Sequence, residues 1–290
     1  MRDGNHQSQA CPICGMAAHL YCLKVPARYF HFEACGTMFQ SPMPSIAEML
    51  DYVNSEYSGG AYDAYVQARA LKRLTFIPRA RQIRERARGT RLLDVGASCG
   101  YFVEAALEQG FDAYGVELSP VAVRAAPTSI RRRLAVRDAN QFQGGGAEPF
   151  DVVTAFDILE HTLDPLRFLM DLRGILREGG LLVITTPDTG HVLRSVMRRS
   201  WPMLQPSQHT VLCSRRSLRL ALSMAGYQSL GVSSASKALT TDCLARQVGI
   251  HNRRLAELYA MVSCVLPKRV RTFPVAFNIG EMMAFAVRPH

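Results

Sequence analysis

The sequence predicts an α/β fold, a doubly wound and mostly parallel sheet of seven strands with a small cysteine-containing segment in front. Three observations carry this. From Thr90 onward, short apolar runs alternate with amphipathic stretches at the spacing of βαβ units. Helix starts are marked by caps and prolines, as at Ser119-Pro120 and Asp164-Pro165. Four of the eight cysteines, Cys11, Cys14, Cys22 and Cys35, fall within the first 35 residues.

Leu92-Leu93-Asp94-Val95 reads as the first buried strand, with Gly100 to Gln109 as the helix after it. Ala113 to Glu117 is the second strand, and Ile130 to Val136 contains a weak third. Phe150 to Phe156 is the fourth, followed by a helix that Gly179-Gly180 would end. Leu181 to Thr186 is the fifth. Ser214 caps a helix running to Ala225, Tyr227 to Val232 is the sixth strand, and Met282 to Val287 is the seventh. These units place a Rossmann-like domain at 90–290, with insertions at 188–213 and at 236–280, the second helical in pattern and lid-like. Residues 1–44 form the cysteine segment, closed by Ser41-Pro42-Met43-Pro44. Residues 45–89 read as a helical cap or linker carrying Tyr57, Tyr62 and Tyr65.

The 48% hydrophobic content is enough to bury a sizeable core. No window approaches the ~18 apolar residues of a membrane span, and Met1 to Ala10 is polar. The expectation is a cytoplasmic protein, in which clustered cysteines favour metal over disulfides. Net charge is +10, and nine basic residues lie between Arg69 and Arg91 against only Glu85. Such a run suits nucleic acid or a phosphorylated partner, but arginine is abundant throughout and aromatics are not interleaved, so the run reads as a solvated helix face.

The chemistry concentrates at Asp94-Val95-Gly96-Ala97-Ser98-Cys99-Gly100, where a strand turns into a helix. Ligands of open α/β sheets bind at such strand ends. Glycine lets backbone approach a ligand, and the helix start offers free amides. Counting from Gly96 places Ser98 and Tyr101 where a dinucleotide fingerprint needs glycine, and no Gly-Lys-Ser/Thr of a P-loop is present. Asp94 repels phosphate but accepts from an ammonium group, so the turn suits a cofactor bearing an amino acid. Glu117, at the end of the second strand, is placed to accept from two ribose hydroxyls, and Asp138-Ala139 to meet adenine.

Here the chain resembles the class I S-adenosylmethionine-dependent methyltransferases, in particular the small-molecule and sugar methyltransferases related to ubiquinone O-methyltransferases. The matching stretches are LLDVGASCGYF (Leu92 to Phe102), YGVELSP (Tyr114 to Pro120), FDVVTAFDILEHTLDP (Phe150 to Pro165) and ILREGGLLVITTP (Ile175 to Pro187). The resemblance implies S-adenosylmethionine as cofactor, held by Asp94, Gly96, Ala97, Gly100, Tyr101 and Phe102 at the first turn. Glu117 and Leu118 would follow at the second strand, with Asp138, Ala139, Phe156, Asp157 and Ile158 around the adenine. Ser98 departs from the family's third glycine. The resemblance also implies a reading of Asp157-x-x-Glu160-His161 as a divalent-cation site; hydrogen bonding that shapes the loop is the alternative.

His161 and His209 are the candidate catalytic groups, because a near-neutral imidazole can take a proton from an acceptor. Cys11-Pro-Ile-Cys14-Gly15 has the shape of a zinc knuckle, and Cys35-Gly36 supplies the later half of a second, Phe32 standing where its first cysteine belongs. Zinc on Cys11, Cys14 and Cys35 is one reading, with Cys22, His19 or His31 as fourth ligand; a small apolar cap with buried thiols is the other. The function expected is methyl transfer to a small-molecule acceptor such as a sugar, glycan or secondary metabolite. An RNA methyltransferase and a non-catalytic protein retaining the fold are the alternatives.

Overall fold

The computed structural model describes residues 8–49, 51, 68–137, 148–206, 208–240 and 267–290. Asp138, Ala139, the tyrosines of 52–67 and the expected lid helix around 241–266 lie outside them.

Seven strands form the large sheet: β5 (Arg91–Val95), β6 (Asp112–Glu117), β7 (Leu134–Val136), β8 (Phe150–Phe156), β9 (Leu176–Pro187), β11 (Gln228–Leu239) and β12 (Val275–Val287). Their order is β7-β6-β5-β8-β9-β12-β11. The first five are parallel to one another, and β12 runs antiparallel to both β9 and β11. The winding direction reverses between β5 and β8, which makes their carboxyl ends the place for a ligand.

Strand residues alternate between two apolar layers, as buried strands of such sheets do. Leu92, Val152, Val183 and Phe285 face one layer, with α1 (Arg69–Arg84), α2 (Tyr101–Glu108), α3 (Pro120–Ala125) and α4 (Thr128–Arg131). Leu93, Val153, Leu182 and Ala284 face the other, with α5 (Pro165–Ile175) and α7 (Arg215–Met224). The cap signals hold: Ser119 Oγ accepts from the Ala122 amide, Asp164 from Arg167, and Ser214 forms a capping box with Ser217.

Three boundaries differ from expectation. Helix α5 ends at Ile175, before Gly179-Gly180, because Leu176 already pairs with Phe150 in the sheet. Gly179 instead takes φ +70° within β9, where its amide bonds the Arg288 carbonyl. The sixth and seventh strands both extend beyond their apolar cores, to Leu239 and back to Val275, since they pair with each other along that length.

The cysteine segment is a second sheet. Strands β1 (Ser8–Ala10), β2 (Ala17–Lys24), β3 (Ala27–Phe32) and β4 (Thr37–Ser41) form an antiparallel meander. Its fifth member is β10 (Val211–Leu212), which comes from the 188–213 connection and pairs with Phe39 and Met38. The same connection carries α6 (Val192–Met197). Cys11, Ile13, Phe30 and Phe39 share one apolar cluster with α5 and α7, so the small sheet packs through a common core on the side of the large one that these helices cover. A satellite cluster of Tyr29, Met38, Trp201, Leu204 and Leu212 closes the junction.

Trp201, the only tryptophan, is 1% exposed there. Trp201→Ala is expected to cost about 3–5 kcal/mol through the cavity it leaves. Urea unfolding followed by circular dichroism checks this; a change below ~1 kcal/mol would mean that the junction contributes little.

Candidate functional site

The turn after β5 is built by backbone. The Gly96 and Ala97 amides both donate to the Val116 carbonyl at 2.9 Å, and the Gly100 amide closes onto Ala97 at 2.8 Å. Gly96, Ser98 and Gly100 have φ of +75°, +49° and +71°. Gly96 is favoured by its positive φ, and a Cβ there would lie 2.1 Å from Ile158 Cδ1 and push that side chain aside. Ser98 adopts the left-handed conformation without glycine's freedom, and its amide donates to Glu117 Oε2 at 2.9 Å. Glu117 Oε1 accepts from the Ser119 amide at 2.9 Å. One carboxylate thus ties the first turn to the second, and each oxygen keeps a lone pair for a further donor.

Asp94 is buried, with one hydrogen bond, from Thr154 Oγ1 at 2.6 Å. Burial pushes its carboxyl up to about 7, with the Thr154 bond opposing and the Glu117 charge adding to the rise. A cation at this position would restore the charge that burial disfavours. Tyr101 and Phe102 point into the core, Phe102 in an edge contact with Phe156 at 4.6 Å, so at these positions the helix backbone rather than the ring faces the turn. Leu118 is exposed beside Glu117, and Ile158 lies over Gly96.

Asp157 and Glu160 are separated by their environments. Asp157, at φ +56°, accepts from Thr185 Oγ1 and Lys237 Nζ, each at 2.8 Å. Lys237 also contacts Glu281, and Arg79 lies 3.7 Å from Glu281. This partly buried ion group, whose Arg79, Lys237 and Glu281 were absent from the sequence reading, lies beyond Phe156, whose ring faces the Arg79 guanidinium at 5.6 Å. Glu281 does have a signal, as the one charge in the apolar run of β12; Arg79 and Lys237 have none, because their pairing is non-local.

Glu160 instead accepts from Thr186 Oγ1 at 2.9 Å, and burial together with the Asp157 charge raises its carboxyl to about 8. It converges with His161 and His209, their donor atoms lying within 4.8 Å of one another, while Asp157 stands outside the set. His161 Nδ1 donates to the Gln208 carbonyl at 3.0 Å, and His209 Nδ1 to Met203 at 2.7 Å. Both neutral rings therefore present a bare Nε2. Burial lowers both pKa values, His209 to about 3 with His161 contributing. Burial thus takes His209 well below the near-neutral value expected of a base, and the set suits a divalent cation, or a proton acceptor whose imidazolium a neighbouring carboxylate supports.

At the far end, Cys35 Sγ lies 3.8 Å from Cys11 Sγ and 3.6 Å from Cys14 Sγ. Zinc–sulfur bonds of about 2.3 Å in a tetrahedron give edges of roughly 3.8 Å, so these thiols fit the ion. Cys22, His19 and His31 stay outside the cluster.

A doubly wound sheet with a glycine turn at its switch point, and an acid ending the neighbouring strand, defines a nucleotide-cofactor-binding domain of the Rossmann-like class. A family model described as a methyltransferase domain matches residues 62–231, and the chain belongs to that family, the class I S-adenosylmethionine-dependent methyltransferases. It is 34% identical over 103 residues to a ubiquinone biosynthesis O-methyltransferase of Caulobacter sp. strain K31, and 30% identical over 128 residues to one of Caulobacter vibrioides. These stretches cover 34% and 42% of this chain and 41% and 50% of those relatives, so the chain spans about half their length or less.

Among solved structures, the fold is similar to a Haloferax volcanii methyltransferase in complex with its Trm112 activator (TM-score 0.55, 18% identity, 81% of this chain, 98% of that one). It is similar also to magnesium protoporphyrin IX methyltransferase of Synechocystis with bound SAH (TM-score 0.52, 13% identity, 83% and 99%).

Two expectations follow. Glu117→Ala weakens S-adenosylmethionine binding by about 10–100-fold, the loss of one or two charge-assisted bonds; unchanged calorimetric affinity would contradict the placement. Wild-type affinity rises from pH 6 toward 8 as Asp94 ionises near 7, until the ligand's own amine begins to lose its proton near ~8. Asp94→Asn flattens that rise; a rise that persists in the variant would assign it elsewhere.

Proposed function

We propose that the protein transfers a methyl group from S-adenosylmethionine to a hydroxyl of a small-molecule acceptor, a sugar, glycan or secondary metabolite. The observation that carries this is the pair of acids at adjacent strand ends, buried Asp94 and amide-bound Glu117, around a turn that runs at positive φ through Gly96. Asp94 would meet the amino group and Glu117 the ribose, with Leu118 and Ile158 against the flat base. Oxygen as acceptor follows the name of the ubiquinone biosynthesis relatives. The basic helix α1 supports a small acceptor over nucleic acid. Arg69 and Arg73 pair with Glu104 and Glu108, Arg79 is buried, and Arg84 and Arg86 cover Phe111 and Phe285.

The cofactor supplies an activated methyl group, so the protein's task is largely positioning. The acceptor must also lose a proton, and we read the bare Nε2 atoms of His209 and His161 as taking it, the resulting imidazolium being favoured where Glu160 is ionised, above about pH 8. The three thiols at Cys11, Cys14 and Cys35 are read as a structural zinc site, supported by their tetrahedral spacing.

His209→Ala is expected to leave cofactor affinity near normal and to lower kcat by roughly 10²–10⁴-fold. Steady-state kinetics with an acceptor found by screening hydroxylated metabolites checks this. A full-rate variant would remove the base role, and an effect on KM alone would leave His209 an acceptor contact.

A further inference from the structure

We propose that zinc at Cys11, Cys14 and Cys35 serves as a lock that positions His209, an inference that rests on the zinc reading above. Each half of the thiol cluster sits in a turn of the same design. Gly15 follows Cys14 at φ +71°, and Gly36 follows Cys35 at φ +76°. The Gly15 amide returns to the Cys11 carbonyl at 2.9 Å, and the Gly36 amide to Phe32 at 2.8 Å. Such turns present sulfur inward, toward a common centre. An apolar cap of thiols has no need of three sulfurs within 4.8 Å of one another, two of the separations being at the edge length of a tetrahedron. Among the described residues no fourth cysteine, histidine or carboxylate joins them.

The second half of the cluster is bound directly to the catalytic side of the molecule. The Cys35 carbonyl accepts from Ser214 Oγ, and the Gly36 carbonyl from Thr189 Oγ1. Gly36 is pressed so closely on Ser214 that a Cβ would lie 2.7 Å from the serine Cβ. Beyond the turn, Met38 and Phe39 pair with Leu212 and Val211, and the Gln40 amide donates to the Thr210 carbonyl at 3.0 Å. From β3, Tyr29 Oη donates to the His209 carbonyl at 3.3 Å. Every backbone contact just described falls on the stretch from His209 to Ser214 or on Thr189 beside it. The stretch has little regular structure of its own, with two residues in β10. The thiol turn therefore fixes the height at which His209 hangs over the carboxyl ends of β8 and β9. An ion that cross-links the two turns removes the freedom of that support, as structural zinc does by coupling coordination to local folding.

The test uses the full-length protein, with SAH as the cofactor-site probe and Trp201 as internal reporter of the junction. Elemental analysis is expected to find about one zinc per chain, lost in Cys14→Ser and in Cys35→Ser but kept in Cys213→Ser, whose buried thiol lies outside the cluster. Removing the ion with a strong chelator is expected to shift Trp201 emission to longer wavelength and to raise amide exchange at 208–214 at least tenfold. SAH affinity is expected to change by less than about threefold. Absence of any zinc or cobalt uptake would overturn the zinc reading. Zinc present with unchanged emission and exchange after its removal would leave that reading standing and overturn the lock. Loss of SAH binding together with the ion would show that it holds the whole fold, and would also overturn the local role.

Discussion

The carboxylate of Glu117 receives the amides of both Ser98 and Ser119 at 2.9 Å, and the carboxyl edge of the sheet is organised around those two bonds. They join the turn after β5 to the turn after β6, beside the bonds from the Gly96 and Ala97 amides to the Val116 carbonyl. The first loop can then run at positive φ through Gly96, Ser98 and Gly100, a path that costs a non-glycine residue about 1–2 kcal/mol. With the loop held open, α2 starts at its base without a side-chain cap, and Ile158 fits against the bare face of Gly96. Asp94 is left in the interior with Thr154 as its hydrogen-bond partner. The proposed ligand, with a cation at one end and a diol in the middle, would meet these two acids in that order.

The other half of the site is assembled from distant chain. Glu160 and His161 belong to the turn after β8, while His209 comes from a connection whose end is stitched into the N-terminal sheet. The small sheet is consequently a wall of this candidate site, sharing an apolar core with α5 and α7. The ion group of Arg79, Lys237, Asp157 and Glu281 forms the opposite wall and fastens α1 to β11 and β12. It also takes Asp157 away from Glu160 and His161, so that His209 occupies the third place in the cluster.

The large sheet was legible because its strands are buried on both faces, and their β-branched runs have no competing helical period. The same is true of Asp94, Gly96 and Glu117, whose places follow from strand ends. What stayed hidden is non-local. Two residues of β10 carry no strand signal, and their partners lie more than 170 positions away. Likewise Lys237 reads as one lysine in an exposed-looking stretch until β11 brings it to Asp157, 80 positions distant. Gly179-Gly180 misled for a local reason: glycine pairs commonly follow helices, but here the sheet register claims Leu176 first. The three thiols were half legible, their knuckle spacing visible and their convergence dependent on the β3–β4 turn.

The central claim is that the turn at 94–100 receives an amino-acid-bearing nucleoside. Isothermal titration of the wild-type protein with SAH, and in parallel with NADH, addresses it most directly. The account expects saturable one-to-one binding of SAH and no measurable heat from the dinucleotide, because Asp94 admits an ammonium group and repels a pyrophosphate. Failure to bind SAH, or tighter binding of the dinucleotide, would contradict it.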